Sequence, residues 1–213
     1  MNAKILSELR NYWEKLRAGR LAPYRSELDP RKFEGALEHM FILEQLGPSQ
    51  VRVRLAGMKI CEMMGMEVRG MPPEALMDAP YREEFTRHMN SVLNAPAVIE
   101  LDLQACDNRG KVCNGQMLLL PLRSDFGEVT RVLGCVLVEH TIAFPPVNFA
   151  ITGHRIDIIK ETVSDGEEAA MLGFADETAG LSHTDGETRL HSIEGNPDVP
   201  STGNRSRGHL RVV

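Results

Sequence analysis

The stretch VIELDLQACDNRGKVCNGQMLLLPLRSDFGEVTRVLGCVLVEHT, residues 98–141, decides the fold. It holds three apolar, β-prone runs. They are separated by Asn108-Arg109-Gly110-Lys111 and by Ser124-Asp125-Phe126-Gly127-Glu128, both rich in residues that accept tight turns. Turns this short make an antiparallel meander of three strands, because a parallel crossover needs a dozen or more residues. Pro121 has no amide to give to a ladder, so it is expected at a strand end, a bulge or an edge.

Upstream, HMFILEQ at 39–45, a turn at 46–49 and the alternating VRVRLA at 51–56 predict a hairpin. Val51, Val53 and Leu55 should face the core and Arg52 and Arg54 the other side, Arg54 turning inward only towards a partner. Between hairpin and meander the apolar period becomes helical. Gly65, Gly70, Pro72, Pro73 and Pro80 break it into two short pieces and a longer helix from about Tyr81 to Leu93. Phe85, Met89, Val92 and Leu93 share a face of that helix, which should cover a sheet. Two strands, helices and three more strands lack the alternating crossovers of a doubly wound fold. The expected class is α+β, a five-stranded antiparallel sheet with helices on one face.

Residues 1–20 read as an N-terminal amphipathic helix, with Ile5, Leu6, Leu9, Tyr12, Trp13 and Leu16 in one stripe and Gly19 as its stop. Such a stripe needs cover. The open sheet face is one candidate and a second chain the other, so Ile5, Leu9, Trp13 and Leu16 are dimer candidates and a homodimer is expected. Asp29-Pro30 supplies an N-cap and a first-turn proline to a short helix beyond. The domain itself is placed at 21–145. Residues 146–213 read as a mostly disordered tail, rich in Gly, Ser, Thr, Asp and Glu from about Val163, with a short helix near 151–161 suggested by Ile151, Ile156, Ile158 and Ile159.

A net charge of −6 over 213 residues disfavours a phosphate-neutralising role, so no nucleic-acid partner is expected. Arg17, Arg20, Arg25 and Arg31 form a local basic cluster, read as a solvated helix face and kept as a candidate partner surface. Charges interrupt every apolar stretch of the N-terminus, and no run approaches the ~20 apolar residues that span a bilayer. Cys61, Cys106, Cys113 and Cys135 lie far apart and read as buried free thiols in a reducing cytoplasm.

The order of elements resembles the PAS topology, and the detailed text resembles one subfamily of short bacterial PAS proteins formerly catalogued as a domain of unknown function. The resemblance is carried by Tyr12-Trp13, Leu16-Arg17, Pro23-Tyr24-Arg25-Ser26, Asp29-Pro30, Arg52-Val53-Arg54-Leu55-Ala56-Gly57, Gly65 and Arg69-Gly70, and covers most of residues 5–143. It implies a cavity closed by the central helices against the sheet. It implies a sensor or interaction module with no catalytic residue to carry over. The expected function is a stand-alone regulatory, signal-transducing protein that acts through protein contacts, gated by a small molecule in the cavity. The alternative is an interaction adaptor whose cavity its own side chains fill.

Candidate cavity residues are Phe41, Arg54, Met58, Cys61, Met64, Phe85 and His88. Methionines 58, 63, 64, 66, 71 and 77 concentrate adaptable thioethers there. His88 invites comparison with the axial histidine of haem-binding PAS proteins, but its neighbour Arg87 favours a partly exposed histidine, and no haem is expected. Cys61 sits in KICEMMG, not in the asparagine-cysteine-arginine motif of flavin photosensors, so flavin is not expected either. No metal ligand is expected, the histidines being read as lacking partners at i, i+4 spacing. Without a nucleophile elbow, a paired cysteine and histidine or a phosphate loop, no enzyme activity is expected.

Overall fold

A break in strict alternation shapes both ends of the sheet. The computed structural model describes residues 2–48, 50–140 and 144–161. Helix α1 (Asn2–Arg17) leads through three short 3-10 helices to β1 (Met40–Gly47) and β2 (Gln50–Ala56). Then come α2 (Met58–Met64), two further 3-10 turns and α3 (Arg82–Asn94). The remaining strands are β3 (Ala97–Cys106), β4 (Val112–Arg123), β5 (Val129–Val138) and β6 (Asn148–Ile158). The order across the sheet is β2-β1-β5-β4-β3-β6, and every neighbouring pair is antiparallel.

The sheet therefore has six strands where five were expected. The extra one is β6, where a short helix near 151–161 was expected, so the folded unit runs past 145. Phe149 and Ile151 face the helices opposite Ala105 and Leu103. The register then slips, leaving Thr152 as an extra residue, so that His154 and Ile156 take up that face opposite Leu101 and Ile99. This phase change hides the period of two. The tail from 162 onward, expected to be disordered, lies outside the described residues.

A second bulge alters the hairpin. Val53 pairs with Leu43 and is buried, but Leu55 pairs with Ile42, leaving Arg54 as the extra residue and turning Leu55 to the outer face. The expectation that Val51, Val53 and Leu55 share the core side fails at Leu55. The other side of β2 is bonded to the loop after α2: the Val53 amide donates to the Met71 carbonyl, and the Gly70 amide to the Val53 carbonyl.

Two cores sandwich the sheet. On one face α3 lays Phe85, Met89, Val92 and Leu93 over Ile99, Met117 and Leu119, as its spacing predicts. On the other, α1 buries Leu9 and Trp13 against Leu118, Leu120, Leu133 and Leu137. The dimer candidates Ile5, Leu9, Trp13 and Leu16 thus spend their stripe on their own sheet, and no second chain is needed to cover it. The Trp13 indole N–H donates to the Pro121 carbonyl over 2.9 Å. Pro121 lies within β4, but beyond the last β3–β4 pair, Ile99 with Leu119, so its missing amide costs no ladder bond there.

Candidate functional site

Where a cavity was expected between helices and sheet, buried apolar side chains gather. Phe41, Met77 and Phe85 have no exposed surface and belong to one continuous core. The Phe41 ring lies over Gly134 on the paired strand, in space that any Cβ at 134 would contest: its Cζ stands 2.1 Å from that position. Of the seven cavity candidates, Phe41, Phe85 and Met64 are buried in this core. Cys61 is half-buried at its margin, and Met58 is 58% exposed. Arg54 does not enter the interior: its side chain is 71% exposed on the outside of the sheet. His88 is buried rather than partly exposed, and it is turned towards β6.

The outer face offers a cleft of roughly 510 Å³ at the β2-β1-β5 end. Four arginines from four segments converge on it: Arg25, Arg54, Arg69 and Arg131. Ile42 and Leu55 supply an apolar floor, and Ser26 and Asp125 complete the lining. Each arginine has a local reason to be there. Arg54 is the bulged residue of β2. Arg69 precedes Gly70, whose left-handed backbone (φ +80°) carries the chain back along β2. Arg25 opens a 3-10 turn tied down by Glu27, which accepts from the Tyr24 amide, and by the Pro23 carbonyl, which accepts from the Arg123 amide. Arg131 stands beside Glu44, 3.1 Å away, and the same carboxylate lies 3.6 Å from Arg54. Among the described residues Arg25 and Arg69 form no ion pair, so cation exceeds carboxylate in the cleft. Next to Asp125, Phe126 at the tip of the β4–β5 turn is 95% exposed.

The motif residues quoted for the family resemblance divide into supports and lining. Trp13 anchors α1, Asp29 caps a 3-10 turn by accepting from the Arg31 amide ahead of Pro30, and Gly65 closes α2 in a left-handed conformation (φ +66°). At Gly57 a Cβ would stand 2.4 Å from the Leu37 and Glu38 carbonyl oxygens, so only glycine fits. Arg25, Ser26 and Arg54 meet in the cleft. Their convergence was not legible from the text, because 29 positions and a hairpin turn separate Arg25 from Arg54, which is itself a bulged residue. Three members of the basic cluster read at Arg17, Arg20, Arg25 and Arg31 have carboxylate partners: Arg17 pairs with Glu14, Arg20 with Glu27 and Arg31 with Asp29.

One side-chain cluster corrects the reading that no histidine has a helical partner. Glu84 and His88 stand at i, i+4 on α3, and His154 of β6 joins them. Burial, and then the nearby His154, lower the His88 pKa below its ordinary value and favour the neutral imidazole. Of the four free cysteines, Cys113 and Cys135 are buried and Cys61 and Cys106 half-buried, and burial pushes Cys135 up to about 12.

An antiparallel sheet with helices packed on its faces and a cleft on the outer face is an α+β architecture that sensory and signalling domains share. The sequence matches the PAS domain family over residues 1–137, and the chain belongs to that family. Strand β6 follows the last matched residue. A search of curated proteins finds no match. Among solved structures, the LOV protein of Rhodobacter sphaeroides is 15% identical, over 53% of this chain and 69% of that one, with a TM-score of 0.39. A PAS domain from Colwellia psychrerythraea is 12% identical over 51% and 94%, with a TM-score of 0.38. The VqmA dimer protein of Vibrio cholerae is 14% identical over 54% and 52%, also at 0.38.

Proposed function

We propose that this PAS domain is a cytoplasmic regulatory module that passes a signal by docking an acidic segment of a partner protein in the arginine cleft. It does so with no catalytic step and no interior cofactor. The observation that supports this reading is the convergence of Arg25, Arg54, Arg69 and Arg131 around Ile42 and Leu55, where Glu44 and Asp125 are the carboxylates found beside them among the described residues. Guanidinium groups recognise carboxylates through paired donors, and an apolar floor accepts the stem of the bound chain. Phe126 beside the cleft supplies the exposed aromatic anchor that strong protein contacts favour. The apolar side chains gathered in the interior, with Phe41 over Gly134, support the adaptor reading over gating by a small molecule inside the core.

The test is fluorescence anisotropy of a labelled glutamate-rich peptide against the full chain. Arg54→Ala combined with Arg69→Ala should weaken binding at least tenfold, Phe126→Ala should weaken it further, and added salt should weaken the wild type. Equal binding by wild type and the double variant would refute the cleft as the docking surface. A visible chromophore in freshly purified protein would refute the cofactor-free interior.

A further inference from the structure

The cluster of Glu84, His88 and His154 lies far from the arginine cleft, on the helix-covered face at the β6 edge of the sheet. One donor atom from each residue falls within 4.8 Å of the others. The His88 Nε2 is 3.6 Å and the His154 Nδ1 3.9 Å from the same Glu84 carboxylate oxygen, and the two rings lie 4.9 Å apart. His88 is more than nine-tenths buried, yet its Nε2 has no hydrogen-bond partner. A buried ring nitrogen aimed at a carboxylate but left beyond bonding distance is unusual, because buried polar atoms are nearly always satisfied. A simple Glu–His ion pair would close that gap and would not require His154.

We propose that Glu84, His88 and His154 form a binding site for a zinc-class divalent transition metal. Two imidazoles and one carboxylate are a ligand set that such ions take in four-coordinate sites. Bonds of 2.0–2.2 Å in a tetrahedral arrangement place donor atoms roughly 3.4 Å apart, close to the present spacing of at most 4.8 Å. The local structure prepares the set. Glu84 and His88 share one face of α3, one turn apart. The bulge at Thr152 puts His154 rather than Arg155 on the helix side of β6. Burial of His88 keeps its imidazole neutral and able to donate a lone pair. His154 is half-exposed, which leaves the fourth position open to water. An ion there would clamp α3 to the strand that follows the PAS-matched region.

Isothermal titration of the metal-stripped full chain with zinc chloride tests the site. His154 and Glu84 are accessible enough for His154→Ala and Glu84→Gln to fold, which circular dichroism checks. Wild type should bind one zinc ion, each variant at least tenfold more weakly, and zinc should raise the melting temperature of wild type but not of H154A. Cobalt in place of zinc should give the intense visible bands of four-coordination in wild type alone. Equal zinc affinity in wild type and H154A would place the ion elsewhere and overturn the proposal, as would no binding at all. The Arg54→Ala, Arg69→Ala double variant should bind zinc as wild type does, which separates this result from the fate of the cleft.

Discussion

His39 shows how one residue converts burial into pH sensitivity. It closes the 3-10 turn before β1, its Nδ1 is buried without a partner, and burial lowers its pKa. Between its ordinary value of about 6.5 and the lowered folded value, the unfolded chain binds a proton that the folded chain refuses. Stability is therefore unaffected above the ordinary value and falls as pH drops below it. Urea midpoints at pH 7.5 and 5.5 should differ less in His39→Gln than in wild type; an unchanged difference would exclude His39 as a source. Residue identity was the part of the site most open to misreading. The four-residue spacing of Glu84 and His88 is present in the sequence, yet it passes as an ordinary helix face until the sheet brings His154 to it, and Arg87 beside His88 suggested exposure that the packing of α3 removes.

At the scale of elements, the runs with unbroken periods were legible and those with bulges were not. The β3, β4 and β5 runs alternate or stay apolar throughout, and α3 keeps its apolar face, so their places follow from the text. Strand β6 changes phase at Thr152, and its isoleucines imitate a helical stripe. This predicts an asymmetry between two deletions. Removing Thr152 straightens the strand and leaves Phe149, Ile151 and His154 on their present faces, so stability should change by less than ~1 kcal/mol. Removing Ala150 turns Phe149 out of the core and should cost about 2–3 kcal/mol, the value of burying such a side chain. Urea unfolding of the two deletions would measure this, and equal losses would show that the phase change does not set the faces.

For the whole molecule, the expected α+β architecture holds with one strand added, and that strand matters to the sheet edge. On one side β2 is bonded to Gly70 and Met71, while on the other β6 covers β3 through ten paired residues from Ala97 to Cys106. A chain ended after Val147 would bare the edge of β3, with Leu101 and Leu103 beside unpaired backbone. It should melt lower and aggregate more readily than a chain ended after Glu161, as light scattering during a thermal ramp would show; identical behaviour would mean that β6 is an ornament. The arginine cleft belongs to this scale as well. Its members come from four segments, so only the assembled sheet reveals it.

The seat of Trp13 gives the protein an optical reporter. It is the sole tryptophan of the chain, fully buried between α1 and the sheet, with its indole bonded to Pro121. Emission excited at the indole band therefore reads one event, the seating of the N-terminal helix, and any partner that lifts that helix would announce itself as a red shift without a label.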